Sequence, residues 1–315
     1  MVILGIDIGG SQIKAGMVDE SGAILASRSL RTPSDLDAFQ FELDKAVRWL
    51  IDATESPAGV GVGCKGVIDP DSTRVDLLPG ALHYLEGVRL SDLVGLPAEA
   101  PVPVFADNYA RVALAGEMVW GAARGLRDVL MLTLGNGVGG AAIVNGQMLR
   151  GHSGVAGLLG HITVEPDGAI CSCGNRGCLE TVFSARAIES AAHAAVHRGC
   201  SSTLTRLFRE QPQLATCRTV FLAASEGDAL AREVVDTAIH KLAAALSGLL
   251  HVFDPEVVIV GGPVADAGQE LLAPLQEETW ERTRGLLGRD VPIVEQQVAD
   301  KSGIVGAAGL AMAPR

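Results

Sequence analysis

Three cysteines, Cys171, Cys173 and Cys178, fall within eight residues and are preceded by His161 in the spacing H-x9-C-x-C-x4-C. Three thiolates and one imidazole form a closed tetrahedral donor set, the set of structural zinc. Gly174 and Gly177 lie between the ligands and let the chain wrap closely around a metal. A cluster of buried free thiols is the competing reading, and the tight spacing disfavours it. Cys64, Cys200 and Cys217 have no such spacing and read as core or surface thiols.

A second chemistry is written in glycine. Asp7-Ile8-Gly9-Gly10-Ser11 puts a carboxylate at a strand end, then two glycines and a hydroxyl. Glycines let backbone N–H groups approach phosphate oxygens, and Ser11 adds a donor. Asp7 is the candidate to hold Mg²⁺, through water. Gly135, Asn136, Gly137 and Val138 form a second turn of the same kind, and Gly261-Gly262 ends a third apolar run. Either turn alone reads equally well as a plain hairpin. The three together favour a polyphosphate ligand.

These residues need strands to carry them. Apolar runs at 2–7, 15–18, 23–31, 59–63, 102–106, 129–134, 139–144 and 257–260 predict strands, with Asn145-Gly146 as a hairpin signal. Helical spacing predicts helices at 35–52, 184–197, 229–253, 267–284 and 303–312. No fixed-period repeat is present. What recurs is a strand, a Gly-rich turn and another strand, once in each half. The mixture predicts an α/β architecture.

The 315 residues suffice for two domains with cores. A net charge of −12 argues against a nucleic-acid surface, which needs Lys/Arg patches. No apolar run has membrane-spanning length and no signal peptide opens the chain, so a cytoplasmic location with no membrane partner is expected.

The pattern Gly160-His161 followed by Cys171-x-Cys173-Gly174-x2-Gly177-Cys178-x-Glu180 resembles the ROK family (repressors, open reading frames and kinases) of the actin/hexokinase-like superfamily. The resemblance extends over nearly the whole chain. Residues 7–14, including Lys14, resemble the family's first phosphate motif. Residues 134–140 resemble the second, with Asn136 where Thr is usual, and 259–263 resemble the adenosine motif, with Pro263 in place of a common Gly. The family's repressors carry a helix-turn-helix domain before the first phosphate strand. Here that strand begins at Val2, so the chain is similar to the kinase branch.

The resemblance implies a two-lobe actin-like ATPase (ribonuclease H-like) fold with a ligand cleft between the lobes. The smaller lobe is expected at 1–119 plus a C-terminal helix at 302–315, and the larger, zinc-bearing lobe at 120–301. It implies ATP and Mg²⁺ near Asp7, a structural Zn²⁺, a homodimer, and a hexose or N-acetylhexosamine phosphorylated to its 6-phosphate. Sugar contacts carry over to Asn108, His161 and Glu180, with His161 binding zinc through one ring nitrogen and sugar through the other. Lys65, with Gly66, and His83, in Gly80-Ala81-Leu82-His83, flank the expected sugar site. A lysine in such a loop is more often simply solvated, and that reading of Lys65 is the favoured one.

Two positions depart. The family Asp that follows the Asn is Tyr109 here, at the place of the catalytic base, and Leu158 stands where Glu is usual. Asp107 precedes Asn108 and is expected to point elsewhere. A phenol has a pKa of about 10 and accepts protons poorly at neutral pH. Losing a general base costs about 10²–10⁴-fold in rate. The expectations are therefore a sugar kinase of weak activity, or a pseudokinase that binds sugar or nucleotide. A transcriptional regulator is disfavoured by the acidic charge.

Overall fold

The computed structural model describes residues 1–78, 80, 82–96, 102–298 and 302–313. Ala81 of the Gly80–His83 turn, Lys301 at the expected lobe boundary and the last two residues of the expected final helix lie outside them.

Strand β1 (Ile3–Ile8) is buried except at Asp7. It pairs antiparallel with β2 (Gln12–Val18), and β2 with β3 (Ile24–Arg31). Helix α1 (Leu36–Ala53) starts at Asp35, whose carboxylate accepts the Ala38 N–H and so satisfies a free amide of the first turn. Its buried residues Phe39, Leu43, Val47 and Leu50 recur every three or four positions, forming one apolar stripe. β4 (Gly59–Cys64) runs parallel to β1. The small hairpin β5 (Val67–Ile68) and β6 (Val75–Leu77) follows, then β7 (Val104–Asn108), parallel to β4, and α2 (Tyr109–Trp120). The sheet order is β3-β2-β1-β4-β7.

The same device then recurs. β8 (Val129–Leu134) and β9 (Val138–Val144) are antiparallel around the second Gly-rich turn. Asn145 (φ +54°) and Gly146 (φ +82°) turn the chain toward β10 (Gln147–Met148). Helices α3 (Leu179–Val182), α4 (Ala185–His197), α5 (Thr203–Glu210), α6 (Cys217–Ser225) and α7 (Ala229–Phe253) precede β11 (Val257–Gly261). α8 (Gln269–Leu287), β12 (Ile293–Glu295) and α9 (Ser302–Met312) complete the chain. β11 is parallel to both β8 and β12. The sequence pattern assigns no element to α5 and α6, because each spans only two or three turns, too short for a helical period to stand out. Caps start them: Ser202 accepts the Leu204 N–H and Thr216 the Thr219 N–H.

Two compact units result. The first is Met1–Leu126, Gln147–Gly157 and Gln296–Arg315; the second is Arg127–Gly146 and Leu158–Glu295. This division differs from one placed at 119/120 and 301/302, and one buried carboxylate accounts for part of the difference. Glu117, 1% exposed, accepts the Ala122, Gln297 and Val298 N–H groups, which holds the segments on both sides in the first unit. The returning 147–157 segment is held there by Arg111, described below. α9 lies directly on the first sheet. A Cβ on Gly5 would stand 2.1 Å from the Ile304 carbonyl oxygen, and one on Gly61 only 1.6 Å from that of Ala307. Only glycine permits a helix backbone this close to the strands.

Candidate functional site

In the first turn the Gly9 N–H donates to the Gln12 carbonyl at 2.9 Å, closing the β1–β2 hairpin. Gly10 and Ser11 are exposed, and nothing lies within 4 Å of a Cβ built on Gly10. Its open backbone has the character a phosphate cradle requires. Lys14 is exposed on β2, paired in register with Asp7. The Asp7 carboxylate lies against Gly303 in the first turn of α9, where a Cβ would be 2.3 Å from Oδ2. Burial raises the Asp7 pKa, while the Tyr109 hydroxyl and the Lys14 charge pull it down. A partly buried, under-compensated carboxylate fits a Mg²⁺ ion, whose charge would offset that desolvation.

In the second unit, Gly135 donates its N–H to Gly137 O at 2.9 Å, and the Ala185 N–H at the start of α4 reaches Gly135 O at 2.8 Å. Asn136 is exposed at the turn. Gly262 (φ +86°) would bring a Cβ within 2.6 Å of Leu134 O, and the Val264 N–H donates to the same carbonyl at 2.9 Å. The Gly261-Gly262 strand end and the second turn are therefore neighbours. Glu180 Oε2 accepts the Val138 N–H at 2.9 Å, so that amide is already taken. A Cβ on Gly137 would lie 2.2 Å from the same oxygen. Glu180 Oε1 is 3.5 Å from the Ser172 hydroxyl.

The four metal-ligand candidates come together. The donor atoms of His161, Cys171, Cys173 and Cys178 all lie within 4.8 Å of one another. His161 Nδ1 is 3.6 Å from Cys171 Sγ, and Cys173 Sγ is 3.7 Å from Cys178 Sγ. A tetrahedron with arms of about 2.3 Å has edges of about 3.7 Å, so the set fits Zn²⁺. The Nδ1 orientation leaves Nε2 of His161 available to another partner. Asn175 Nδ2 donates to Cys178 Sγ at 3.5 Å, supporting the cluster from outside.

The end of β7 leads into Tyr109, one of the two positions expected to depart from the family pattern. Asn108 caps α2: its Oδ1 accepts the Ala110 N–H at 3.1 Å and its Nδ2 donates to Gly66 O at 2.7 Å. Gly66 has φ +94°, and a Cβ there would strike Leu77 O at 2.1 Å. Lys65 is exposed beside it, and Leu158 is half-buried just before the turn that holds His161. His83 is exposed, its Nδ1 3.2 Å from Gly80 O. The Tyr109 ring lies over Gly63, where a Cβ would be 3.5 Å from Cδ1. Its hydroxyl donates to Ile8 O and has the Asp7 carboxyl within hydrogen-bonding reach. Burial, then the Asp7 charge, push the phenol pKa far above its ordinary value. Tyr109 is a neutral donor facing the first turn.

Asp107 is fully buried, and both of its oxygens are engaged by donors, two on Oδ1 and one on Oδ2. Oδ1 accepts from Arg111 Nη1 at 2.8 Å and the Asn108 N–H at 2.8 Å, and Oδ2 accepts from Arg150 Nε at 3.1 Å. Arg111, itself 1% exposed, also donates to Gly154 O and Ala156 O at 2.5 and 2.6 Å. This buried triad fastens the returning 147–157 segment to the first unit. Arg111 and Arg150 escape a motif search; the Asp107/Arg111 i,i+4 spacing is the only local signal.

Comparison with known proteins agrees with this geometry. Residues 3–313 match the ROK family. The chain is 33% identical over 310 residues to a glucokinase of Thermotoga maritima, covering 98% of this chain and 96% of that protein. It is 27% identical to a xylose repressor of Caldicellulosiruptor bescii, covering 96% of this chain and 76% of that protein. A crystal structure of a ROK family glucokinase from Streptomyces griseus, in complex with glucose and AMPPNP, superposes with a TM-score of 0.82 at 32% identity, covering 99% of each chain. No helix among the described residues is long and apolar enough to cross a membrane. With this match along almost its full length, the chain belongs to the ROK family and has the two-lobe α/β fold of its sugar kinases, the actin-like ATPase fold.

Proposed function

We propose that this protein is an ATP-dependent sugar-kinase scaffold that binds sugar and nucleotide while its phosphoryl transfer, from ATP to a hexose or N-acetylhexosamine, is weak or silent. The observation that carries this is the absence of an available carboxylate at the end of β7. Tyr109 occupies the position of the base with a hydroxyl already donated to Ile8 O, and both Asp107 oxygens are held by Arg111, Arg150 and the Asn108 amide. In-line attack on a γ-phosphate needs a group that orients the hydroxyl and accepts its proton. Neither residue has that capacity as arranged.

Binding is a separate matter, and its elements remain. The proposed nucleotide contacts are Gly9 with the exposed Gly10 and Ser11 of the first turn, and Gly135, the exposed Asn136 and Gly137 of the second turn beside the Gly261-Gly262 strand end. Mg²⁺ at Asp7 would supply charge neutralisation for phosphates. Zn²⁺ at His161, Cys171, Cys173 and Cys178 would hold the loop leading to Glu180. Asn108, His161 and Glu180 are the proposed sugar contacts. Two measurements test the proposal together. Mg-ATP should raise the melting temperature by mass action. A coupled ADP-release assay over a panel of hexoses and N-acetylhexosamines should give turnover well below the roughly 1–100 s⁻¹ usual for kinases. A melting curve unmoved by saturating Mg-ATP, or full kinase turnover in the unaltered protein, would defeat it.

A further inference from the structure

The turn between β1 and β2 has fixed carbonyls and open amides. Gly10 and Ser11 are exposed, and their N–H groups have no hydrogen-bond partner among the described residues. The flanking carbonyls are held: Ile8 O accepts the Tyr109 hydroxyl, and Gln12 O accepts the Gly9 N–H at 2.9 Å. Gly9 O and Ser11 O are both taken by one residue, Thr32, directly after β3. Its hydroxyl donates to Gly9 O at 2.6 Å and its N–H to Ser11 O at 3.1 Å.

These bonds decide where the amides point. A peptide group is planar and trans, so the C=O of one residue and the N–H of the next lie antiparallel across the same plane. Holding Gly9 O against the Thr32 hydroxyl therefore aims the Gly10 N–H the opposite way, where no protein acceptor meets it among the described residues. A Gly-Gly peptide would otherwise turn over at little cost, since neither residue has a Cβ to favour one orientation. Thr32 is itself anchored. Pro33 restricts it to extended backbone, Pro33 O accepts the Tyr84 hydroxyl at 2.7 Å, and the Tyr84 ring meets the buried Phe39 of α1 edge-on, with centroids 6.3 Å apart. The clamp thus reaches from the turn into the core of the first unit, and it fixes two donors before any ligand arrives.

We infer that Thr32 is a positioning residue for nucleotide binding: its hydroxyl fixes the Gly9–Gly10 peptide so that the Gly10 N–H is set to donate to a phosphate oxygen of ATP. The inference rests on the nucleotide-binding reading above. The test is calorimetric titration of the full chain with Mg-AMP-PNP, with amide hydrogen exchange alongside. Thr32→Val keeps the side-chain shape, removes the donor, and should weaken Mg-AMP-PNP binding about tenfold. Thr32→Ser keeps the hydroxyl and should stay within about twofold of the unaltered protein. Titration well below the melting transition, where nearly every molecule is folded, keeps a loss of stability from passing as a loss of affinity. In the unaltered protein, Mg-AMP-PNP should slow exchange of the Gly10 amide. Equal affinity in Thr32→Val and the unaltered protein overturns the role of Thr32 and leaves the nucleotide reading standing, as does a loss in Thr32→Ser as large as that in Thr32→Val. Exchange at Gly10 unmoved by saturating Mg-AMP-PNP overturns the assignment of that amide, whether or not the variants fold. No binding of Mg-AMP-PNP by the unaltered protein removes both the inference and the reading beneath it.

Discussion

Replacing Tyr109 by Asp separates two effects that the wild-type side chain combines. The ring covers Gly63 and its hydroxyl holds Ile8 O, so truncation leaves a void and an unpartnered carbonyl beside the first phosphate turn. Losing a packed aromatic ring costs about 3–5 kcal/mol in a closed core, and less here because the side chain is only half-buried; the hydrogen bond adds about 1 kcal/mol. The new carboxylate would also lie near Asp7 and raise the already high pKa of that group further. A total loss of about 3 kcal/mol in unfolding free energy is therefore expected. Against this, a carboxylate at the family's base position should raise sugar-dependent ADP release by up to about 10²–10⁴-fold. The expected signature is a less stable, more active protein. Tyr109→Phe, which removes only the O–H, should cost about 1 kcal/mol and yield no rate. Tyr109→Ala opens the same space without a base; if it accelerates as much as Asp does, the ring acts as a plug and proton transfer is not what is missing. Leu158→Glu alone should tighten sugar binding and do little for the chemical step. If the Asp variant still binds Mg-ATP and sugar but shows no gain in turnover, the account of Tyr109 is wrong.

Metal analysis of protein purified without chelator should find about one zinc per chain; chelation should lower the melting temperature, because metal binding at a closed site is folding free energy. Finding no zinc would remove the site. Asp107→Asn should lower stability by about 3–5 kcal/mol in denaturant titration, since it leaves the buried Arg111 without its counter-charge; an unchanged midpoint would contradict the buried triad. It is consequently a poor probe of catalysis, as any loss of rate would mix with loosening of the 147–157 segment. Asp7→Asn should stabilise the ligand-free protein at neutral pH. Because the folded pKa of Asp7 is raised, its favourable contribution is present while it is protonated, at low pH, and is lost as pH rises through that value. The difference in melting temperature between variant and wild type should grow with pH and vanish in acid. Mg-ATP stabilisation should shrink in the same variant. A pH-independent difference would show that Asp7 is not the group responsible.

What the sequence determined by itself is what short segments decide. The zinc donors are spread over eighteen residues from His161 to Cys178, so their spacing and chemistry are read without knowing the fold. The two Gly-rich turns, the helices beginning near residues 35 and 184 and the strands β1, β8 and β11 follow from local apolar runs, glycine and helical spacing. The proposal that Tyr109 stands in place of the base rests on a residue type at a motif position. The partner of that side chain was not legible. The Tyr109 hydroxyl meets Ile8 across 101 residues, Arg150 meets Asp107 across 43, and Glu180 meets Val138 across 42. Such pairs are set by the parallel register that places Asp7, Gly63 and Asp107 side by side in the first sheet, and in the second unit by the packing of α3 against its turn. The return of 147–157 to the first unit has the same origin. A buried arginine must find acceptors wherever the fold offers them, and for Arg111 those were Asp107 and the carbonyls of Gly154 and Ala156, which no window of sequence brings together.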